Sequence, residues 1–148
     1  MFNIHFTRSS KLGSHLIRAV TGETVSHCVI EKGGMVLHST FLGLKLVLLR
    51  VFLKENSIVY TLSGVKSPTG IAYLLDKYWE ARYDYRAFLA LGLRLLSPKL
   101  ASKVDIRGLT GSFLCTEFVS VALGEGEDSE ITPYKLYLKL KEKEQTDE

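Results

Sequence analysis

Two cysteines and four histidines carry the greatest chemical reach in this chain: Cys28, Cys115, His5, His15, His27 and His38. Cys115 stands in the stretch GSFLCTEFVS, residues 111–120. Two readings of its thiol compete. Cys115, Phe118, Val119, Ala122 and Leu123 recur at i, i+3, i+4, i+7 and i+8, one apolar stripe of a helix, so the thiol points into the protein. A free cysteine placed there behaves as a small hydrophobe and packs as core. Against this, Ser112 is positioned to cap a helix over 113–123, which sets Cys115 in its first turn. There the unbonded N–H groups and the helix dipole favour an anion. A thiol in that field ionises below its usual ~8.5, and its own N–H can form half of an oxyanion hole. A nucleophilic thiolate then needs a base and a group that orients the base.

The histidines supply candidates. His27 and His38 flank a predicted β-hairpin, SHCVIE (26–31), KGG, MVLHST (35–40). A two-residue turn at Lys32–Gly33, or a four-residue loop Glu31–Gly34, pairs His27 with His38, Cys28 with Leu37 and Ile30 with Met35. The imidazoles then face each other at roughly 4.5–5.5 Å between Cβ atoms. A turn at Gly33–Gly34 makes them diagonal neighbours at about 7–8 Å. A three-residue loop would put them on opposite faces. In either of the first two registers Cys28 lies on the apolar face, away from His27. Cys115 is therefore the cysteine expected to share a site with the histidines. Two imidazoles and a thiolate would also suit zinc, but no compact ligand spacing supports a metal, and no cofactor is expected. His5 and His15 have no such partner and read as surface or half-buried residues.

The elements that must position these residues follow from periodicity. FNIHFTR (2–8) alternates as a strand. Residues 9–22 read as a helix with Leu12, Leu16, Ile17 and Val20 on one side, Ser9 or Ser10 as cap and Gly22 as stop. FLGLKLVLLRVFL (41–53) reads as one or two buried strands with a break near Arg50, and SIVYTLS (57–63) as a strand. Ser67–Pro68 opens a helix to about Glu80. A second, apolar helix covers 83–96, and 99–110 reads as loop or a short helical turn. TPYKLYLKL starts a last short helix or strand, and 141–148 reads as a solvated, frayed tail. Strands come early and helices late, which predicts an α+β fold: an antiparallel sheet packed by helices, in a single domain over 1–140.

The whole chain sets outer bounds. Its 148 residues suit one domain, and 46% hydrophobic with 24% charged residues is a globular composition. The formal charge of +3 is scattered, without a Lys/Arg block or nucleic-acid motif, so a nucleic-acid partner is not expected. Two cysteines are too few for a disulfide framework and fit a reducing compartment, although a single bridge stays open. The N-terminus lacks a signal-peptide pattern, and the most apolar run is interrupted by Lys45 and Arg50, too short to span a bilayer. These features predict a soluble, cytoplasmic, monomeric protein without a transmembrane segment.

The strand SHCVI, a second histidine eleven residues on, and a helix opening CTEFVSVAL resemble the circularly permuted NlpC-type branch of papain-like cysteine hydrolases. Lecithin:retinol acyltransferase-like proteins belong to the same permuted group. In the usual papain-like order the cysteine helix precedes the histidine strand; here it follows. YDY (83–85) and TPYKLY (132–137) are similar to flanks of such proteins, so the resemblance covers roughly 1–140. It implies a permuted papain-like architecture, with Cys115 as nucleophile, His27 as general base and His38 as the polar third group. A Gly-Asp turn found in many members is missing, which puts the substrate-side loops in question. The group includes peptidoglycan amidases and peptidases, acyltransferases and thioesterases. The expectation is a Cys-His-His hydrolase cleaving an amide in a peptide or cell-wall substrate, of bacterial or bacteriophage type. The acyl-ester alternative rests on segments 41–53 and 88–96 as walls of an acyl groove. A non-catalytic binding module, holding an anionic partner through its pocket or through Arg82, Arg86 and Arg94, is the rival of a different class.

Overall fold

The computed structural model describes residues 1–40, 43–65, 82–83, 112–113, 115–124 and 131–146. In chain order these form β1 (Phe2–Ser9), α1 (Leu12–Thr21), β2 (His27–Lys32), β3 (Met35–Thr40), β4 (Gly43–Leu48), a single helical turn α2 (Leu49–Phe52), β5 (Asn56–Val65), β6 (Arg82–Tyr83), β7 (Ser112–Phe113), α3 (Cys115–Ala122) and α4 (Pro133–Thr146). The fold is α+β. Five strands make an antiparallel sheet in the order β4-β3-β2-β1-β5, and β6 pairs with β7 in a separate parallel ribbon.

The apolar face of the sheet builds the main core. Ile4 and Phe6 of β1, Cys28 and Ile30 of β2, Leu37, Leu44 and Leu62 pack beneath Cys115, Phe118, Val119 and Ala122 of α3 and Leu136 and Leu140 of α4. Leu136 and Leu140 stand one helical turn apart, so α4 lays one stripe on the sheet. Tyr137 continues that contact: its ring stacks on Tyr60 at 4.5 Å and meets Phe6 edge-on at 5.3 Å. Thr132 caps α4 by accepting the Lys135 N–H, and Pro133 follows at the first helical position, where a missing N–H costs nothing. A smaller cluster, Val29, Val36 and Phe52 with Val47 and Leu49, occupies the other face.

The hairpin register differs from the first expectation. The turn is Gly33–Gly34, with φ of 59° and 78°, and it pairs Lys32 with Met35, Glu31 with Val36 and Ile30 with Leu37. Two consecutive left-handed residues give the turn a twist that matches the strands, and glycine takes that conformation without strain. Glu31 reinforces the choice, since its Oε1 accepts the Gly34 N–H at 2.6 Å. The shift from the expected pairing is two residues, so every side chain keeps its face; a shift of one would have exchanged them.

Other boundaries moved for local reasons. Helix α1 starts at Leu12 with Lys11 in the cap position and no side-chain cap; Ser9 instead accepts the Lys11 N–H from outside the helix. Leu12 is 85% exposed and does not join the apolar side. Gly22 does end the helix, in the left-handed region, donating to the Arg18 carbonyl. The run 41–53 is not a pair of buried strands: its described part is β4 followed by the α2 turn, and Leu46, Leu48, Val51 and Leu53 are exposed. Helix α4 continues to Thr146, so 141–146 is helix rather than frayed tail, with residues 141–145 exposed. Tyr83 lies in β6 rather than at a helix start. The expected helices over 68–80 and 84–96, and the loop 99–110, lie outside the described residues. Among the described residues no helix is long and apolar enough to cross a membrane.

Candidate active site

Cys115 is the first residue of α3. Ser112 does not cap this helix, because it is drawn into β7 opposite Arg82. The functional consequence survives the change of cap: Cys115 still occupies the first turn, and the eight-residue helix directs its positive end at the sulfur. The side chain is 6% exposed. Phe118, Val119 and Ala122 hold the helix to the sheet, and Thr116 and Ser120 are buried as well. The burial is therefore wider than the single apolar stripe.

Helix α3 packs on β2, where His27 is the first strand residue. At this end β2 is paired with β1 alone: Thr7 faces His27 and Phe6 faces Cys28, while the pairing with β3 stops at Ile30. Cys115 shares the main core cluster with Cys28, and the Cys28 thiol, the His27 imidazole and the Cys28 backbone N–H all act on its sulfur. The expected separation of Cys28 from the site is thus incorrect. Strand alternation does place Cys28 on the core face. The sulfur of Cys115, however, sits at the end of the strand, within reach of consecutive residues from both faces.

Those contacts set the protonation. The Cys115 thiol is held well below the ordinary cysteine range, foremost by the hydrogen bond from the Cys28 thiol, with further help from the charge and ring N–H of His27 and from the Cys28 N–H; burial acts in the opposite direction. Cys28 moves the other way, pushed well up by its complete burial, then by its hydrogen bond to Cys115 and the negative charge there. Of this coupled pair Cys115 is the one that ionises. It alone combines a helix N-terminus, an imidazole and a backbone donor, whereas Cys28 is enclosed by aliphatic side chains.

His38 joins the site through His27. The two rings meet at 5.9 Å between centroids and 72° between planes. This is an edge-to-face contact, too long for a hydrogen bond between ring nitrogens. The diagonal placement follows from the Gly33–Gly34 register, in which His38 would align with Val29 rather than His27. Phe52 supports His38 from behind, edge-on at 5.2 Å. Desolvation lowers the His38 pKa to about 4, and the charges of His27, Lys45 and Lys11 push it the same way. His38 is therefore neutral at physiological pH.

Sequence reasoning missed His5. It is buried on β1, accepts or donates a bond with Thr61 Oγ1 at 2.9 Å through Nδ1, and lies 3.9 Å from Glu31 Oε2 through Nε2. Glu31 also accepts from Asn3 Nδ2 at 2.6 Å. Burial lowers the His5 pKa, against the opposing pull of Glu31. The strand alternation of 2–8 carried the signal: Asn3, His5 and Thr7 fall on one side, polar residues where a solvated face would be assumed. His15 matches its expectation as an exposed residue, bonded to Arg18. Among the described residues no group of three His, Cys, Asp or Glu side chains is arranged to hold a metal ion.

A separate cleft of about 350 Å³ is lined by Arg8, Ser9, His15, Arg18, Lys54 and Asn56 among others, and contains none of Cys115, His27 or His38. Comparison of the chain with protein-family models, with curated proteins and with solved structures finds no match.

Proposed function

We propose that the chain is a cysteine hydrolase on a permuted papain-like fold, with Cys115 as nucleophile, His27 as general base and His38 as a positioning residue. The observation that carries this reading is the meeting of a helix-terminal thiol with an imidazole from a strand distant in sequence. His27 takes the Cys115 proton, and the thiolate attacks a carbonyl carbon. The unbonded N–H groups of the first turn of α3 stabilise the resulting oxyanion. His27 returns the proton to the departing amine, leaving an acyl-thioester on Cys115. A water molecule, deprotonated by His27, then hydrolyses that thioester and restores the thiol. His38 contributes by ring packing, not by the hydrogen bond first expected.

An amide in a peptide or cell-wall peptide is the substrate class this reading favours. The acyl-ester variant draws on Leu46, Leu48, Val51 and Leu53, apolar side chains left exposed. The decisive experiment pairs labelling with turnover. Iodoacetamide at pH 6–7 is expected to modify Cys115 far faster than Cys28, and a panel of peptide amides and thioesters is expected to contain a substrate cleaved by wild type and not by Cys115→Ala. Equal, slow alkylation of both thiols would overturn the proposal.

A binding module for an anionic partner is the second reading, and one observation favours it. Arg8, Arg18 and Lys54 line the cleft together with Glu55, whose carboxylate pairs with Lys11, and none of the three has a carboxylate partner among the described residues. Arg18 is pinned there by the Ser14 and Ser9 carbonyls. Of the arginines first considered for such a role, Arg82 lies in the backbone of β6, and Arg86 and Arg94 lie outside the described residues.

A further inference from the structure

The two cysteines are 87 positions apart and were expected to serve separate purposes, one in the core and one in the site. The fold brings their sulfurs together instead. Both are free and buried in one cluster, and the Cys28 thiol acts more strongly than any other group on the protonation of Cys115. Helix α3 packs directly on β2, so the two backbones that carry them are neighbours. Cys28 is 0% exposed and Cys115 6% exposed, so of the two sulfur-bearing residues Cys115 is the one that touches solvent.

We propose that Cys28 and Cys115 form a redox-active pair, in which a hydroperoxide oxidises Cys115 and Cys28 resolves the product as an intramolecular disulfide. The Cys115 thiolate attacks the terminal oxygen of the hydroperoxide. A new S–O bond forms, the O–O bond breaks, and the alkoxide or hydroxide that leaves takes up a proton; Cys115 becomes a sulfenic acid. The Cys28 sulfur, already in contact, attacks the Cys115 sulfur. The S–O bond breaks, the hydroxyl departs with the Cys28 proton as water, and an S–S bond forms. Two electrons pass in total from the two sulfurs to the peroxide. An external dithiol reverses the bond by exchange.

The division of labour follows from the surroundings. Cys115 has the groups that favour a thiolate and the greater exposure, so it meets the oxidant. Cys28 is shielded from the oxidant and has Cys115 as its neighbour, which is what a resolving thiol requires. Closing the bond needs the two sulfurs to approach to about 2.05 Å. Bond formation does not depend on the hydrolase reading. Its effect on turnover does: if Cys115 is the nucleophile, the disulfide is the resting, protected state of the enzyme, and it spares the thiol from irreversible sulfinic oxidation.

The test is a titration of the reduced full chain with hydrogen peroxide at neutral pH. Expected are the loss of both titratable thiols per chain, an intact mass lower by two hydrogens, a linked peptide pair containing Cys28 and Cys115, and recovery of both thiols with dithiothreitol. The rate should be independent of protein concentration. Cys28→Ala should accumulate a dimedone-reactive sulfenic acid on Cys115, and Cys115→Ser should leave Cys28 unmodified under the same conditions. Because the wild-type mass and peptide map need no variant, a misfolded Cys28→Ala does not blunt the result. Oxidation of Cys115 to sulfinic acid with Cys28 still free, or disulfide-linked dimers in place of the internal bond, would overturn the proposal. Disulfide formation in a protein that shows no hydrolysis of any probe would uphold the pair and reject the enzyme.

Discussion

The two faces of the five-stranded sheet differ in kind. One is continuous hydrocarbon, from Leu62 on β5 through Ile4, Phe6, Cys28, Ile30 and Leu37 to Leu44 on β4, closed by two helices. The other carries a small apolar island of Val29, Val36 and Phe52 among polar groups: the buried His5 and Glu31, the half-buried Asn3 and His38, and the exposed Thr61. The first face holds the molecule together and supplies a platform for α3. The second supplies the titratable groups. His27 and Cys115 meet at the end of β2, where the two faces adjoin. Most of the stability rests on the first face, which also carries both thiols, while the imidazoles lie on the second, so each can be disturbed separately.

The largest expected effect is on chemistry alone. Cys115→Ala should lower turnover of any identified substrate at least about a thousandfold, while changing unfolding free energy by no more than about 1 kcal/mol, read from kinetics and urea denaturation on the same preparation. On the apolar face the order reverses. Phe118→Ala removes a fully buried ring and should cost about 3–5 kcal/mol of stability, seen as a lower urea midpoint, with the labelling preference for Cys115 retained wherever the protein is still folded.

On the polar face Glu31→Gln conserves volume but sets a donor against the Asn3 amide. It should cost about 2 kcal/mol, and hydrogen exchange at Gly34 should speed up as the turn loosens. If the cost is instead negligible, the polar face is more solvated than its burial indicates.

A pH titration sharpens the contrast further. His38 titrates near 4 in the folded chain, against about 6.5 in the unfolded chain. Between those values the unfolded state binds the extra proton, so stability falls as pH drops from about 6.5 to about 4 and this contribution levels off below. His5, also lowered by burial, acts in the same direction. Allowing for partial exposure of His38, the loss attributable to it is on the order of 1–2 kcal/mol. It is isolated by comparing wild type with His38→Gln, which should be less pH-sensitive over that window. The smallest effect belongs outside both faces: Leu46→Ser, at a side chain 53% exposed, should alter stability by less than about 0.5 kcal/mol.

Most of the sheet was legible because its signals are local. Alternation located β1 and β5, and the glycines marked the hairpin. The face of every hairpin residue was readable even with the wrong register, because the competing turns differ by two residues and preserve parity. The turn itself was decided by Glu31, whose carboxylate bonds the Gly34 N–H; a side-chain bond of that kind leaves no periodicity. The meeting of Cys115 with His27 was readable from a stripe and a strand. The contact of Cys115 with Cys28 was not, since alternation sends Cys28 to the other face, and only the ending of the β2–β3 pairing at Ile30 lets one sulfur touch both residues. The 41–53 run misled for a related reason: its leucines suggest burial, but an edge strand followed by one helical turn has too little of the molecule beside it to cover them.

The order of the site's parts along the chain has a consequence for synthesis. The histidine hairpin is complete by Thr40, and it is a local structure that forms on the microsecond scale. The cysteine helix begins only at residue 115, and its docking closes a long loop, a slower and non-local event. During elongation at about 5–20 residues per second, the nascent chain therefore displays its imidazoles for several seconds before Cys115 is made. Cys28, meanwhile, waits at the sheet surface without the helix that will bury it. Until α3 arrives, Phe6, Ile30 and Leu37 have no cover either. The arrival of α3, with α4 close behind it, thus covers the core face and buries Cys28 and Cys115 together, so that a chain ending before residue 115 has neither its core closed nor its two thiols side by side in one cluster.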